Sequence, residues 1–389
     1  MPDTRPIRAF LDDRHLALAD RLAAFCDASV RPLPSPADDV AARVQARELL
    51  RLLGAERLFE LFDPPDLRGA SFAREALAAA SPLADAVFAV QGLGATPIRL
   101  GASDVARRDW LGKLVRGEAM AAFAMTEPEA GSDVAAIATT ARRDGDEWVL
   151  DGYKTLISNA GIADVYSVFA TTDPDRGRKG IGCFLVPADA PGLRFARPLV
   201  MSAPHPLGDL ALEGARIPAA YRLDAPRDGE GGGFRLGLAT LDRLRPTVGA
   251  AACGMASRAL EEALAHATSR RQFGRPIADL EAIRAKLATM AIDLTAARLL
   301  VYRAAREGDL GAERITIEAA MAKAFATEAA QRIVDGAVQV LGGRGVLADH
   351  PVDRLYRAVR ALRIYEGTTE VQLAIIGAAL VAAAGRTGP

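Results

Sequence analysis

Near Met120 the hydrophobic period of the chain changes, and near Phe234 it changes back. From Phe10 to about Gly117, the segments LALADRLAAF, VAARVQARELLRLL, REALAAA and VARRDWLGKLVRG each place apolar residues on one helical face with Arg, Asp or Glu opposite. The segments AFAMTE, EWVLDG, KTLIS, VYSVFATT, IGCFLVP, LRFARPLV and DLALEGARI then run short, rich in β-formers and separated by Gly, Pro and Asp. From Phe234 onward, long Ala-rich helical stretches return. A chain that switches period twice is α+β in three parts: an N-terminal helical domain over 1–119, a central antiparallel β-domain over 120–233 and a helical bundle over 234–389. Turn signals at Arg31–Pro36 and Asp63–Asp66 punctuate the first part. Gly92-Leu93-Gly94 reads as a helix break, and Asp228–Gly233 as a flexible hinge.

At 389 residues and 50% hydrophobic content, the chain has material for several packed subdomains. Lys plus Arg total 48 against 49 Asp plus Glu, without a long run of one sign, so nothing points to nucleic acid or an anionic membrane. The N-terminal MPDTRPIRAFLDDRH carries charge where a signal peptide has an apolar core, and no uninterrupted 18-residue apolar span follows. Cys26, Cys183 and Cys253 lie far apart, and His15, His205, His266 and His350 lack ligand spacing. The expectation is a cytoplasmic protein with free thiols and no metal.

One carboxylate stands in an unusual setting. PVDRLYRAVRALRIY has a helical apolar stripe, Gly367 breaks it, and Val371 to Ala384 reads as a second, mostly buried helix opened by a Thr369/Gln372 capping box. Glu366 therefore sits at a helix–helix elbow, close to orphan N–H groups. Four further stretches carry polar or basic groups at element ends. The loop from Met125 and Thr126 to Ser132 and Asp133 presents backbone and hydroxyl donors to a polar ring edge or phosphate, or merely closes a turn. The strand GYKTLISNAG ends in small polar residues able to approach a flat ligand. SRRQFGRPI is a basic–aromatic break between long helices, suited to pyrophosphate or to capping a helix. QVLGGRG follows a helix, so it is a glycine C-cap or a close backbone approach and not a Rossmann fingerprint.

In this order MTEPEAGSD, GYKTLISNAG, LDRLRP, RRQFGRPI, QVLGGRG and IYEGTTEVQ resemble the acyl-CoA dehydrogenase family over essentially the whole chain. The resemblance implies a central β-barrel, a C-terminal four-helix bundle, FAD as cofactor and a homotetramer or homodimer. It places Met125, Thr126, Ser132, Leu156 and Ser158 at the flavin. It assigns Arg270, Phe273, Gln339, Gly342 and Gly343 to the FAD of a neighbouring subunit, and Thr368 and Glu370 to FAD after the catalytic residue. Ser132, Asp242, Arg245, Tyr365 and Gly367 fall at the substrate. Glu366 matches the general base of the straight-chain branch, whereas the alternative base position of the isovaleryl-type branch is Leu244, which cannot take a proton. The implied reaction converts an acyl thioester to its trans-2-enoyl form, the base taking the α-proton and flavin N5 the β-hydride, with an electron-transfer flavoprotein as acceptor. A non-catalytic flavin-binding paralogue, or an acyl-carrier-protein dehydrogenase or oxidase, are the alternatives on this fold.

The chain also departs from the family pattern. Leu156 stands where many relatives have a flavin-stacking Trp, Leu280-Glu281 replaces a common Phe-Gln, and Ala358 an Asp. The stretch Met201–Asp209 lacks the usual Gly-x-Arg-x-Ser, which leaves coenzyme A or an acyl carrier protein as the thioester carrier. His205, between two prolines, reads as structural.

Overall fold

A computed structural model describes residues 3–223 and 232–385. In chain order the helices are α1 (Asp13–Phe25), α2 (Asp39–Ala55), α3 (Leu67–Ala80), α4 (Pro82–Gly101), α5 (Asp104–Ala106) and α6 (Gly112–Val115), then α7 (Gly232–Ser269), α8 (Glu281–Asp309), α9 (Thr316–Leu341), α10 (Pro351–Leu362) and α11 (Thr369–Gly385). The strands are β1 (Ala121–Ala124), β2 (Thr140–Asp144), β3 (Glu147–Ser158), β4 (Val165–Thr171), β5 (Ile181–Pro187), β6 (Leu193–Pro198), β7 (Leu207–Pro218), β8 (Arg222–Leu223), β9 (Arg271–Gln272) and β10 (Arg275–Pro276). No described helix is long and apolar enough to cross a membrane.

The chain forms two compact units. One comprises Ser35–Pro65 and Ala86–Leu241, the other Met1–Pro34, Asp66–Asp85 and Asp242–Pro389. The helical first part therefore contributes to both.

In the first unit an eight-stranded sheet has the order β6-β7-β3-β2-β4-β5-β8, with β1 beside β4. The wholly antiparallel barrel expected from the sequence is corrected in two respects. The β1–β4 and β2–β4 pairings are parallel, so the sheet is mixed. Among the described residues the pairing path does not close from β8 back to β6. The physical reason is connection length: β1 and β2 each reach β4 through intervening chain, not through a tight hairpin, and only hairpins enforce antiparallel neighbours. The core beneath joins Ile98, Leu114, Met125, Phe169, Leu185 and Leu236. Asp38 caps α2 by accepting the Ala41 N–H at 2.8 Å. From α2, Arg47 makes a bidentate pair with Asp164 at 2.6 and 2.9 Å, which docks the helix against the start of β4.

The break expected at Gly92-Leu93-Gly94 does not occur, because α4 runs unbroken through it. Both glycines serve packing. A Cβ on Gly92 would lie 2.4 Å from the Phe62 ring, and one on Gly94 would lie 2.5 Å from the Ala121 Cβ. Of the expected hinge, residues 228–231 lie outside the described residues, and Gly232 and Gly233 open α7.

In the second unit α8 and α9 pack along their length, and α9 also carries α10 and α11. Val352, Leu355, Val359 and Leu362 of α10 are buried at the expected 3–4 spacing, after a His350 cap and Pro351 at the first turn. SRRQFGRPI folds as a β9–β10 hairpin, not an open loop. Its two turn residues, Phe273 and Gly274, have φ of 50° and 77°, as a type I′ turn requires. Gly342, at φ 59°, caps α9, so the C-cap reading of QVLGGRG holds.

Candidate active site

Residues 363–368 form the elbow between α10 and α11. Glu366 adopts φ 55° and Gly367 φ 91°, the left-handed region that an L-residue enters at a cost of about 1–3 kcal/mol unless its surroundings hold it there. Three helices supply that hold. Arg245 of α7 donates Nε–H to the Glu366 carbonyl at 3.2 Å, Lys323 of α9 donates to the Gly367 carbonyl at 2.6 Å, and Gln372 of α11 donates Nε2–H to the Gly367 carbonyl at 3.0 Å. A side chain at position 367 would meet Gln372 Nε2 at 2.4 Å.

The expected Thr369/Gln372 capping box is corrected. Thr368 caps α11, accepting the Val371 N–H at 3.3 Å. The Gln372 side chain is drawn into the elbow and Thr369 donates to Glu328 instead at 2.7 Å. α11 is also less buried than its apolar sequence implied: only Gln372 is fully covered, while Leu373, Leu380 and Val381 are exposed.

The Glu366 carboxyl is held above the usual carboxylate range. Burial is the main cause, opposed by Arg74, Arg245 and Lys323 and reinforced by Asp85. Its Oε2 is buried without a hydrogen-bond partner among the described residues. Its backbone N–H likewise meets no acceptor there. Ile364 and Tyr365, the apolar neighbours of Glu366 in sequence, are substantially exposed, so cover for the carboxylate comes from the surrounding helices. Tyr365 lies within the electrostatic reach of Arg74.

Arg74 of α3 is buried and grips Asp85 with two bonds, at 2.8 and 2.9 Å, and reaches Thr247 Oγ1 at 3.2 Å. Asp242, two residues before Leu244, pairs with Arg245 one turn on and accepts the Thr316 hydroxyl at 2.8 Å. Leu244 is buried at 4% exposure and offers no proton acceptor. Thr368 lies half-buried and Glu370 exposed at the start of α11. Arg270, Phe273, Gln339, Gly342 and Gly343 are all exposed in this unit, Phe273 at 88%.

The sheet unit brings Met125, Thr126, Leu156 and Ser158 to neighbouring strand ends, where the Thr155 N–H bonds the Thr126 carbonyl at 3.0 Å. Leu156 has φ 56° and is 57% exposed, an apolar side chain held outward; Ser132 is exposed on the adjoining loop. Met125 is packed by Gly237, where a Cβ would come within 2.5 Å of its Cε. An outward leucine flanked by hydroxyl and backbone donors fits a flat aromatic ring with a polar rim. Ser158 Oγ lies 2.8 Å from His205 Nε2, so the histidine read as structural touches a candidate cofactor residue. Burial lowers the His205 pKa to about 4, against the opposing pull of Asp39 and with help from Arg43.

Sequence reading missed Arg74, Asp85, Lys323 and the buried Lys154–Glu127 pair. One signal was available for Lys323. It falls on the buried stripe Ala319, Ala326, Ala330 and Ile333 of α9, where an apolar residue is the norm.

Two family profiles match the chain: "Acyl-CoA dehydrogenase, middle domain" over 122–214 and "Acyl-CoA dehydrogenase, C-terminal domain" over 231–381. A 3-(aryl)acrylate reductase of Clostridium sporogenes is 37% identical over 382 residues, spanning 96% of this chain and 100% of that protein. The mitochondrial short-chain specific acyl-CoA dehydrogenase of Bos taurus is 36% identical across 95% of this chain and 91% of its own. The butyryl-CoA dehydrogenase structure from Megasphaera elsdenii superposes with a TM-score of 0.88 at 32% identity, covering 95% and 99% of the two chains.

Proposed function

The chain belongs to the acyl-CoA dehydrogenase family, FAD-dependent oxidoreductases that dehydrogenate acyl thioesters, and from that premise we propose that Glu366 is the base that removes the substrate α-proton. Loss of that proton together with the β-hydride turns the acyl thioester into its trans-2-enoyl form. The observation that carries the reading is the unpartnered, buried Oε2 of Glu366 on an elbow fixed from three helices. A carboxylate deprived of water and of hydrogen-bond donors has raised basicity, which a weakly acidic α-C–H demands. The Glu366 N–H, without an acceptor among the described residues, is a ready donor to the thioester oxygen as charge develops there. FAD, when bound, supplies the acceptor for the β-hydride.

Met125, Thr126, Ser132, Leu156 and Ser158 would hold the flavin, supported by their convergence at neighbouring strand ends, and Thr368 and Glu370 would contribute from the elbow. Asp242, Arg245, Tyr365 and Gly367 would line the thioester, with Ser132 reaching it from the loop. The exposure of Arg270, Phe273, Gln339, Gly342 and Gly343 supports their reaching the FAD of a second copy in a homotetramer or homodimer. An electron-transfer flavoprotein is the proposed acceptor, in the cytoplasm.

A second reading is the same chemistry run toward saturation on an aryl acrylate or its thioester, favoured by the full-length similarity to the clostridial reductase. The test is anaerobic mixing of FAD-loaded protein with acyl-CoAs of short, long, branched and aromatic chain, and of dithionite-reduced protein with the matching enoates and enoyl thioesters. Glu366→Gln is expected to keep FAD and lose at least roughly 10²–10⁴-fold in flavin reduction rate. Near-normal reduction in that variant overturns the assignment.

A further inference from the structure

Lys323 is fully buried on α9, where an ammonium needs a compensating negative charge. Its one hydrogen bond among the described residues runs to the Gly367 carbonyl, and no carboxylate lies within ion-pair distance of it there. The other cations around the elbow are already matched: Arg74 by Asp85, Arg245 by Asp242, and Arg363 by Glu328 at 2.7 Å. Among the described residues at the elbow, Lys323 and Glu366, with its unpartnered Oε2, are left inside without an ion pair, while the likewise unpaired Glu370 is exposed to solvent.

We propose that Lys323 is a positioning residue for the reaction, serving as the counter-charge that keeps the Glu366 carboxylate ionised and as the clamp on the next carbonyl along the chain. This rests on the reading of Glu366 as base. The clamp acts on geometry. With Gly367 O held by Lys323 and Gln372, and Glu366 O by Arg245, the left-handed pair at 366–367 cannot relax toward helix without breaking bonds from three helices. The charge acts on proton affinity. Burial lowers Lys323 to about 8, and of the charges around it Glu366 is the strongest that holds it up; Arg245 opposes, and Glu328 and Glu370 assist. In return Lys323 joins Arg74 and Arg245 in pulling Glu366 down against burial and Asp85. Arg74 and Arg245 act more strongly on Glu366 but are each paired with a carboxylate of their own, whereas Lys323 is the one of the three with no carboxylate partner among the described residues.

Three variants separate charge from clamp. Lys323→Gln keeps a donor for Gly367 and removes the charge, Lys323→Met removes both, and Lys323→Arg keeps both. The readout is the carboxyl infrared band of Glu366 in the substrate-free, FAD-loaded protein, isolated by subtracting the Glu366→Gln spectrum and followed against pH, alongside the pH profile of flavin reduction by butyryl-CoA, or by the best substrate of the acyl-CoA panel. In Lys323→Gln the carboxyl should ionise about 1 pH unit or more higher than in the wild type, with the acid limb of flavin reduction moving by the same interval. Lys323→Met should show that shift plus a lower plateau rate, and Lys323→Arg should restore both. A merely structural lysine would change stability and leave the ionisation where it was. Wild-type titration in Lys323→Gln overturns the proposal. If Glu366→Gln is inactive in the same experiment, the base assignment survives that failure; if Glu366→Gln reduces flavin normally, the base assignment falls as well.

Discussion

Lys154 of β3 and Glu127 of the loop after β1 form a buried ion pair, with Nζ 2.7 Å from Oε1. The same ammonium donates to the Met125 carbonyl at 3.1 Å, and the same carboxylate accepts the N–H groups of Ala138 and Thr139 at 2.7 and 3.0 Å. One pair thus fastens both ends of the loop that carries Thr126 and Ser132. Burial pulls Lys154 down to about 8 against the lift from Glu127; the carboxyl, which burial alone would raise, ends below its ordinary value because Lys154 and the two N–H donors outweigh it.

Removing one partner leaves the other buried and unmatched. Lys154→Met or Glu127→Gln should each cost about 3–5 kcal/mol in denaturant unfolding, and the double variant should cost less than the sum. Each single variant should also bind FAD more weakly in fluorescence titration of the apoprotein. Additive losses with unchanged FAD affinity would show that the pair does not order the loop.

His205 yields a pH prediction with a definite sign. Its folded pKa of about 4 lies below the ordinary 6.5, so the folded state binds fewer protons than the unfolded state between those values. Its contribution is fully present above about pH 6.5 and is lost as pH falls toward 4. Wild-type stability should therefore fall across that window by on the order of 2 kcal/mol more than that of His205→Asn, with solvent screening part of the effect at this half-buried ring. Chemical denaturation at pH 7, 5.5 and 4.5 checks it, and parallel pH curves for the two proteins would contradict it.

Phe273 spends a left-handed backbone position and a nearly bare aromatic ring on a two-residue turn. Phe273→Ala should change protomer stability by no more than about 0.5 kcal/mol, as surface changes do. If the ring meets a second copy, the same variant should shift sedimentation toward smaller species and release FAD. Unchanged sedimentation and FAD content would remove the hairpin from the interface.

The parts of this fold that were legible in the sequence are those governed by neighbours a few residues away. The α10 stripe, the α9 glycine cap and the elbow at Glu366 all follow from spacing within about one or two turns. What escaped was set by partners distant in the chain. Lys154 and Glu127 are 27 residues apart and Lys323 and Gly367 are 44 apart, so no local pattern pairs them. Gly92 and Gly94 misled for the same reason, since propensity says break while Phe62 and Ala121 demand absent side chains. Parallel pairing of β1 and β2 with β4 is equally non-local. The flavin-loop and elbow assignments came from the order of the motifs, not from any one of them.

The unbroken run of α4 past those two glycines bears on how such chains diversify. A library selected only for folding would purge every larger residue at 92 and 94, because Phe62 and Ala121 occupy the space. These positions would then look as invariant across survivors as Glu366 would under selection for turnover. Screening the same library twice, once for soluble expression and once for flavin bleaching, would tell architectural immutability from chemical necessity.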